Sequence, residues 1–278
     1  MNNNFTVCLT HDVDRVHKGY QKFTRFISSL FNYDFEKTVY HLLSVFSKED
    51  PYWNFEKIIE IEERNKVKST FFFLNESMDH NFFKPNTWKL SLGRYSIQDI
   101  NVRRYINWLD KNGWEIGLHG SYNSYKNYKM LKDEKLNLES IVGHDIIGIR
   151  QHYLKINHRT WGLQAKVGFI YDSSYGYTNR IGFRGEKLYP FYPLNHDRKF
   201  KVFPLAIMDF GIMKQNYRIK RIKELIDYAY ENQAVLVVNW HQRVFNDKEF
   251  PDFIKKYEFL IAECKKRNAN FKLLRELI

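Results

Sequence analysis

Short apolar runs alternate with helix-period segments along this chain from end to end, and that alternation restricts the fold more than any other feature. "FTVCL", "STFFFL", "EIGLHG", "DIIGIR", "FIYDSS", "KVFPLAI" and "AVLVVNW" read as strands. Each is nearly continuous in apolar character, as strands of a parallel sheet covered on both faces must be. Between them lie amphipathic segments such as "NFEKIIEIEERN", "IQDINVRRYINWLDKNG", "YKMLKDEKLNLESIV" and "FPDFIKKYEFLIAECKKRN". In the last of these, Phe253, Tyr257, Leu260, Ile261 and Cys264 share one helical stripe. Seven strands with intervening helices predict an α/β fold, either a TIM-like barrel or a doubly wound sheet. Two stretches break the rhythm. Residues 18–52 form an aromatic-rich segment read as a helical insertion after the first strand, and residues 176–200 form a long Gly/Pro/Arg-rich loop. Loops of that length in a compact domain are more often functional than idle. Without an internal repeat, low-complexity tract or linker, residues 1–278 are read as a single domain.

Composition removes several classes of function. A hydrophobic content of 44% with 17% aromatic residues supplies a large core and excludes disorder. The net charge is +12, yet the signs mix at helical spacing in stretches such as "KNYKMLKDEKLNLE". That pattern predicts a solvated basic surface rather than a nucleic-acid partner. Cys8 and Cys264 stand too far apart in sequence to form a disulfide framework or a zinc knuckle. No apolar run reaches membrane-spanning length, and "MNNNFTVCLT" lacks a basic n-region. The expectation is a cytoplasmic protein with no transmembrane segment.

Polar residues able to do chemistry recur just beyond the strand ends. The first strand closes in "LTHDVDRVH", which crowds His11, Asp12, Asp14 and His17 together. In an extended segment Asp12 and Asp14 share a face while His11 and Val13 take the other. Two acids on one face suit a metal or general-base site; an Asx-capped turn opening the next helix is the alternative. Further clusters are His119-Gly120-Ser121, Arg150-Gln151-His152-Tyr153, Asp172-Ser173-Ser174-Tyr175 and Trp240-His241-Gln242. In a parallel barrel all these ends converge on one mouth.

In order and context, "LTHDVD", "GIRQHYL", "YDSSYGY", "GFRGEKLYPFYP" and "VVNWHQR" resemble the NodB-homology polysaccharide deacetylases, carbohydrate esterase family four. More narrowly they resemble the WbmS-like branch associated with surface-polysaccharide synthesis. The resemblance spans residues 5 to 245 and implies a distorted (β/α)7-8 TIM-like barrel that removes N-acetyl groups from sugars with one divalent metal, zinc being expected. It implies Asp12 as catalytic base, Asp14 and His119 as metal ligands, and Arg150 as the group orienting the base. It further implies Tyr153 as a backbone oxyanion donor, His241 as catalytic acid and Asp172 as the support of His241. The second metal histidine of the family falls here on Asn123, and a neutral amide is a poor zinc ligand beside imidazole. His152, two residues past Arg150 and on the same face if the backbone is extended, is expected to complete the site; Asn123, His11 and water remain alternatives.

Tyr175, Trp240 and Arg184 are candidate substrate-binding residues, with core packing as the alternative for the aromatics and solvation for the arginine. His41, His80, His144, His158 and His196 are left as structural. The implied partner is an N-acetylated sugar, free or carried on a nucleotide or lipid. Rival readings are another C–N amidohydrolase on the same barrel and a metal-poor carbohydrate-binding or scaffold protein.

Overall fold

Every residue of Thr6–Val13 is buried, so this run can only be a central strand. It is β1 in a computed structural model that describes residues 5–19, 21–31, 33, 35–46, 50–76, 94–194, 198–216 and 219–278. His80 and His196 lie outside the described residues. The strands that follow are β2 (Ser69–Leu74), β3 (Glu115–Gly120), β4 (Gly148–Gln151) and β5 (Tyr171–Asp172). They continue with β6 (Lys201–Val202), β7 (Leu205–Met208), β8 (Val235–Asn239) and β9 (Asn270–Phe271). All pairings between these strands are parallel, in the order β6-β5-β4-β3-β2-β1-β8-β7, with β9 beside the start of β1.

The two ends of that order are consecutive pieces of one extended run. Only Phe203 and Pro204 separate β6, which pairs with β5, from β7, which pairs with β8. The expected strand "KVFPLAI" is therefore split, because Pro204 has no N–H to give a ladder. A bridge between Gly176 and Leu205 helps draw the ends together. The sheet thus curls back on itself as the distorted (β/α)7-8 barrel expected from the sequence. Gly148 shows how tight the curl is: a Cβ there would lie 2.1 Å from Cζ of Tyr171 on β5. β9 and a short helix starting at Asp209 have no counterpart in the apolar pattern of the sequence.

The helices are α1 (Gln21–Phe31), α2 (Phe35–Phe46), α3 (Phe55–Arg64), α4 (Ile100–Lys111) and α5 (Tyr128–Val142). They continue with α6 (Thr160–Val167), α7 (Asp209–Gln215), α8 (Ile219–Glu231) and α9 (Phe253–Lys266). α1 and α2 pack together inside the expected insertion. α4 begins where the Asp99 carboxylate accepts from the N–H groups of Asn101 and Val102, and α5 ends at Gly143 in the left-handed conformation.

A buried polar cluster locks β1 and the residues after β8 against α3 and α9. His11 points away from Asp12, into the layer between barrel and helices, where its Nε2 lies 2.9 Å from Glu62 Oε1. The Glu62 carboxylate also accepts from Tyr257 at 2.8 Å, Trp114 at 2.7 Å and Ser69 at 3.0 Å. His11 Nδ1 donates to the carbonyl of Trp240 at 2.7 Å, the residue before His241. Glu62→Ala would strand four buried polar partners at once, and is expected to lower unfolding stability by about 3–5 kcal/mol. Urea midpoints at constant slope measure this; a loss below about 1 kcal/mol would mean the cluster is not a structural lock.

Candidate active site

The C-terminal ends of β1, β3, β4, β7 and β8 deliver the polar residues to one place. Strand alternation sends Asp12 inward, and Asp14 follows on the same side. Asp14, His119 and His152 are all buried, and one ligand atom from each lies within 4.8 Å of the other two. Nε2 of His119 is 3.3 Å, and Nε2 of His152 3.6 Å, from Asp14 Oδ1.

These residues fit a metal. His119 Nδ1 is 2.9 Å from the carbonyl of Arg150, which can only accept, so Nδ1 carries a proton and Nε2 is the atom turned toward the acids. Burial holds His152 well below the usual imidazole range, against the pull of Asp14, so its ring is neutral. Asp14 runs the other way. Burial raises its carboxyl, but His152, His119, His241 and Arg243 together hold it well below the carboxylate range. A carboxylate oxygen with no hydrogen-bond partner, Asp14 Oδ1, therefore faces the Nε2 atoms of His119 and His152. One carboxylate and two imidazoles are a donor set that suits zinc and leaves positions open for water and substrate.

Asp12 is held differently. Its Oδ1 accepts from Arg150 Nη1 at 2.9 Å and its Oδ2 from Asn239 Nδ2 at 2.8 Å, while His119 Nε2 is 4.0 Å away. Burial raises its pKa, yet the Arg150 guanidinium, with His119 and His241, outweighs this and keeps it below the ordinary value. Arg150 is fully buried and spends its other donors on Thr10, the carbonyl of Ser173 and the hydroxyl of Ser173.

Across the mouth stands His241. Its Nε2 is 3.8 Å from Asp14 Oδ2, and its Nδ1 is 2.7 Å from Asp209 Oδ1. Asp209 Oδ2 also accepts from the His241 N–H at 2.7 Å, so this one acid fixes both backbone and ring. Burial favours the neutral ring, but Asp209 and then Asp14 overcome it and raise the pKa to about 9.

Four residues assigned from the sequence stand elsewhere than expected. Asp172 does not support His241: its oxygens accept from Ser174, Gln164 and Trp161, and the supporting acid is Asp209. The reason is topological, since β7 is the neighbour of β8 and β5 is not. Asp209 opens α7 directly after β7, the same strand-end position that marked the other candidates. Trp240 does not wall the mouth, being fully buried against Phe253 and Tyr257. Tyr175 and Arg184 come together, the guanidinium 4.7 Å from the ring centroid, in a cluster with Trp161 and Phe191 rather than against the metal-binding residues.

Of the alternatives for the third ligand, His11 faces the far side of β1. Asn123 is half-buried at the entry to a 3-10 turn, and its side chain makes no hydrogen bond among the described residues. Tyr153 and Leu154 both carry positive φ, 57° and 52°, which turns the chain sharply just past His152. Arg94, Asn239 and Arg243 also approach the two acids, and sequence reasoning missed them.

No protein-family model matches this sequence, and no curated protein matches it. Solved structures do. The chain is 14% identical to a provisionally assigned polysaccharide deacetylase from Mycobacterium smegmatis, covering 100% of this chain and 90% of that one with a TM-score of 0.61. A provisionally assigned polysaccharide deacetylase from Pseudomonas aeruginosa gives 12% identity, coverage of 99% and 89%, and a TM-score of 0.63. The allantoinase Puue gives 12%, coverage of 99% and 89%, and a TM-score of 0.64. The fold is thus that of the polysaccharide deacetylases, and proteins named for different amide substrates share it.

Two measurements probe the geometry. Zinc titration of the apo-protein is expected to show at least about hundredfold weaker binding in Asp14→Ala, His119→Ala and His152→Ala, with Asn123→Ala close to the parent. Unchanged affinity in His152→Ala would remove it from the ligand set. In Asp209→Asn the anion that stabilises the imidazolium is gone, so an NMR titration of His241 should find its midpoint well below about 9. An unmoved midpoint would assign the raised pKa to another group.

Proposed function

We propose that this protein is a metal-dependent sugar N-deacetylase of the NodB-homology type, WbmS-like, acting in surface-polysaccharide synthesis. One observation carries the reading. Two acids two residues apart are held in opposite ways, Asp12 by a buried arginine and Asp14 by two imidazoles, and a raised-pKa histidine stands opposite them.

Asp14, His119 and His152 would hold the metal. A divalent ion there supplies Lewis acidity, polarising an amide carbonyl and acidifying water. The remaining steps belong to the chain. Asp12, ionised at neutral pH and aimed by Arg150 and Asn239, takes the proton of the attacking water. The N–H of Tyr153, just past the metal-binding His152, is the proposed donor to the oxyanion. His241, protonated at neutral pH because of Asp209, gives its proton to the departing nitrogen. The products are acetate and an amino sugar.

Zinc is the favoured ion for its match to one carboxylate and two imidazoles. A cytoplasmic location, and a substrate carried on a nucleotide or lipid, belong to the same proposal. In its support, both cysteines are free and buried, and no helix among the described residues is long and apolar enough to cross a membrane. The likeness to an allantoinase keeps a second reading, a different C–N amidohydrolase on the same barrel, within reach of the same assay.

The test is acetate release from N-acetylated sugars by zinc-loaded protein. Asp12→Asn should retain zinc and lose about 10²–10⁴-fold in rate, because an amide cannot take the proton. The parent's rate should fall as the pH rises through about 9, where His241 loses its proton. A near-parental rate in Asp12→Asn, or no acetate from any acetamido sugar, would end this reading.

A further inference from the structure

Three arginines reach the acids of this site: Arg94 meets the backbone carbonyl of Asp14, and the other two, Arg150 and Arg243, meet carboxylates in opposite states. Arg150 is fully buried with its donors spent on Asp12, Thr10 and Ser173. Arg243, two residues past His241 in a short turn, is 26% exposed, and among the described residues its guanidinium makes no hydrogen bond. Its ion pair is with Asp14 Oδ2 at 3.6 Å, longer than a hydrogen bond. A guanidinium carries five N–H donors in a rigid fork. At the mouth of a site, such a fork awaits an acceptor.

Asp14 shows where the acceptor would sit. Its Oδ1 faces the imidazoles of His119 and His152, while its Oδ2 faces His241 and Arg243. One carboxylate therefore separates the metal-binding side from the Arg243 fork, close enough for one small molecule to reach both.

We infer that Arg243 is a specificity-determining residue that binds an anionic oxyacid group, a carboxylate or phosphate, on the same sugar that carries the acetamide. The inference rests on the sugar-deacetylase reading for the identity of the ligand. Planar bidentate pairing suits either anion, and Lys would supply only a point charge.

Calorimetric binding with zinc-loaded protein tests this using three probes: N-acetylglucosamine, N-acetylglucosamine 1-phosphate and N-acetylglucosaminuronic acid. The parent should bind at least one anionic probe about tenfold to a hundredfold more tightly than the neutral sugar. In R243Q that preference should collapse to near unity, and R243K should keep part of it. Which anionic probe is preferred distinguishes a phosphate from a carboxylate. Zinc content and near-ultraviolet dichroism accompany each variant, and R243K carries the test if R243Q does not fold. No preference in the parent, or a preference that persists in R243Q, overturns the inference. So does an equal loss for all three probes, which would make Arg243 a support of Asp14. Acetate release is scored separately. Preference without turnover sinks the deacetylase reading alone, and turnover without preference sinks this inference alone.

Discussion

A guanidinium buried inside the barrel, that of Arg150, is the contact on which the rest of the site depends. Burying a charge is costly unless it is paired and hydrogen-bonded, and here Arg150, on β4, takes that compensation from β1 and from the residue after β5. The result is one rigid cross-brace through the barrel interior. It fixes Asp12, and the carbonyl of Arg150 fixes the tautomer of His119. One residue thus sets the charge of Asp12 and the orientation of the His119 ring. Asp12 in β1 and Asp14 just past its end can lie close together because this brace neutralises the first while the rings of His119 and His152 face the second.

Behind the acids, the Glu62 cluster does the corresponding task on the outer face. β1 is an amphipathic strand in an unusual sense: both faces are buried and both are polar near its end. His11 meets a carboxylate and a carbonyl between the barrel and its helices, while Asp12 meets a guanidinium inside. The strand alternation that separates them is the simplest property of extended backbone. It turns a crowded sequence of ionisable groups into two compartments.

Much of this was legible in the sequence. The alternation of apolar runs and helical periods narrowed the fold to a parallel barrel or a doubly wound sheet, the family resemblance pointed to the barrel, and alternate residues gave the shared face of Asp12 and Asp14. The same parity argument, applied to Asn239, Trp240 and His241, would have sent Trp240 outward, since Asn239 meets Asp12 and His241 meets Asp14. Asp209 was hidden for a different reason. Which of two strand-end acids serves His241 is decided by strand order, and spacing along the chain carries no information about which strands are neighbours. His152 follows Arg150 through an extended Gln151, the condition under which the two share a face, and the bend at Tyr153 and Leu154 comes only after it. Arg243 escaped notice because an arginine on a turn reads as a surface residue until its empty donors are seen.

The run 201–208 has a consequence for how the two halves of the site are tied together. Asp12, His119 and Arg150 ride on β1, β3 and β4, while Asp209 and His241 follow the adjoining β7 and β8. On one side these halves share the long ladder between β1 and β8; on the other they meet at a seam with a proline in it and only short pairings. The barrel is a clasp with one strong edge and one weak edge. Widening the weak edge would carry His241 and Asp209 away together, as a unit, with their own bond intact. Spacing across the mouth is therefore adjustable by changes at the seam that leave every polar side chain of the site as it is.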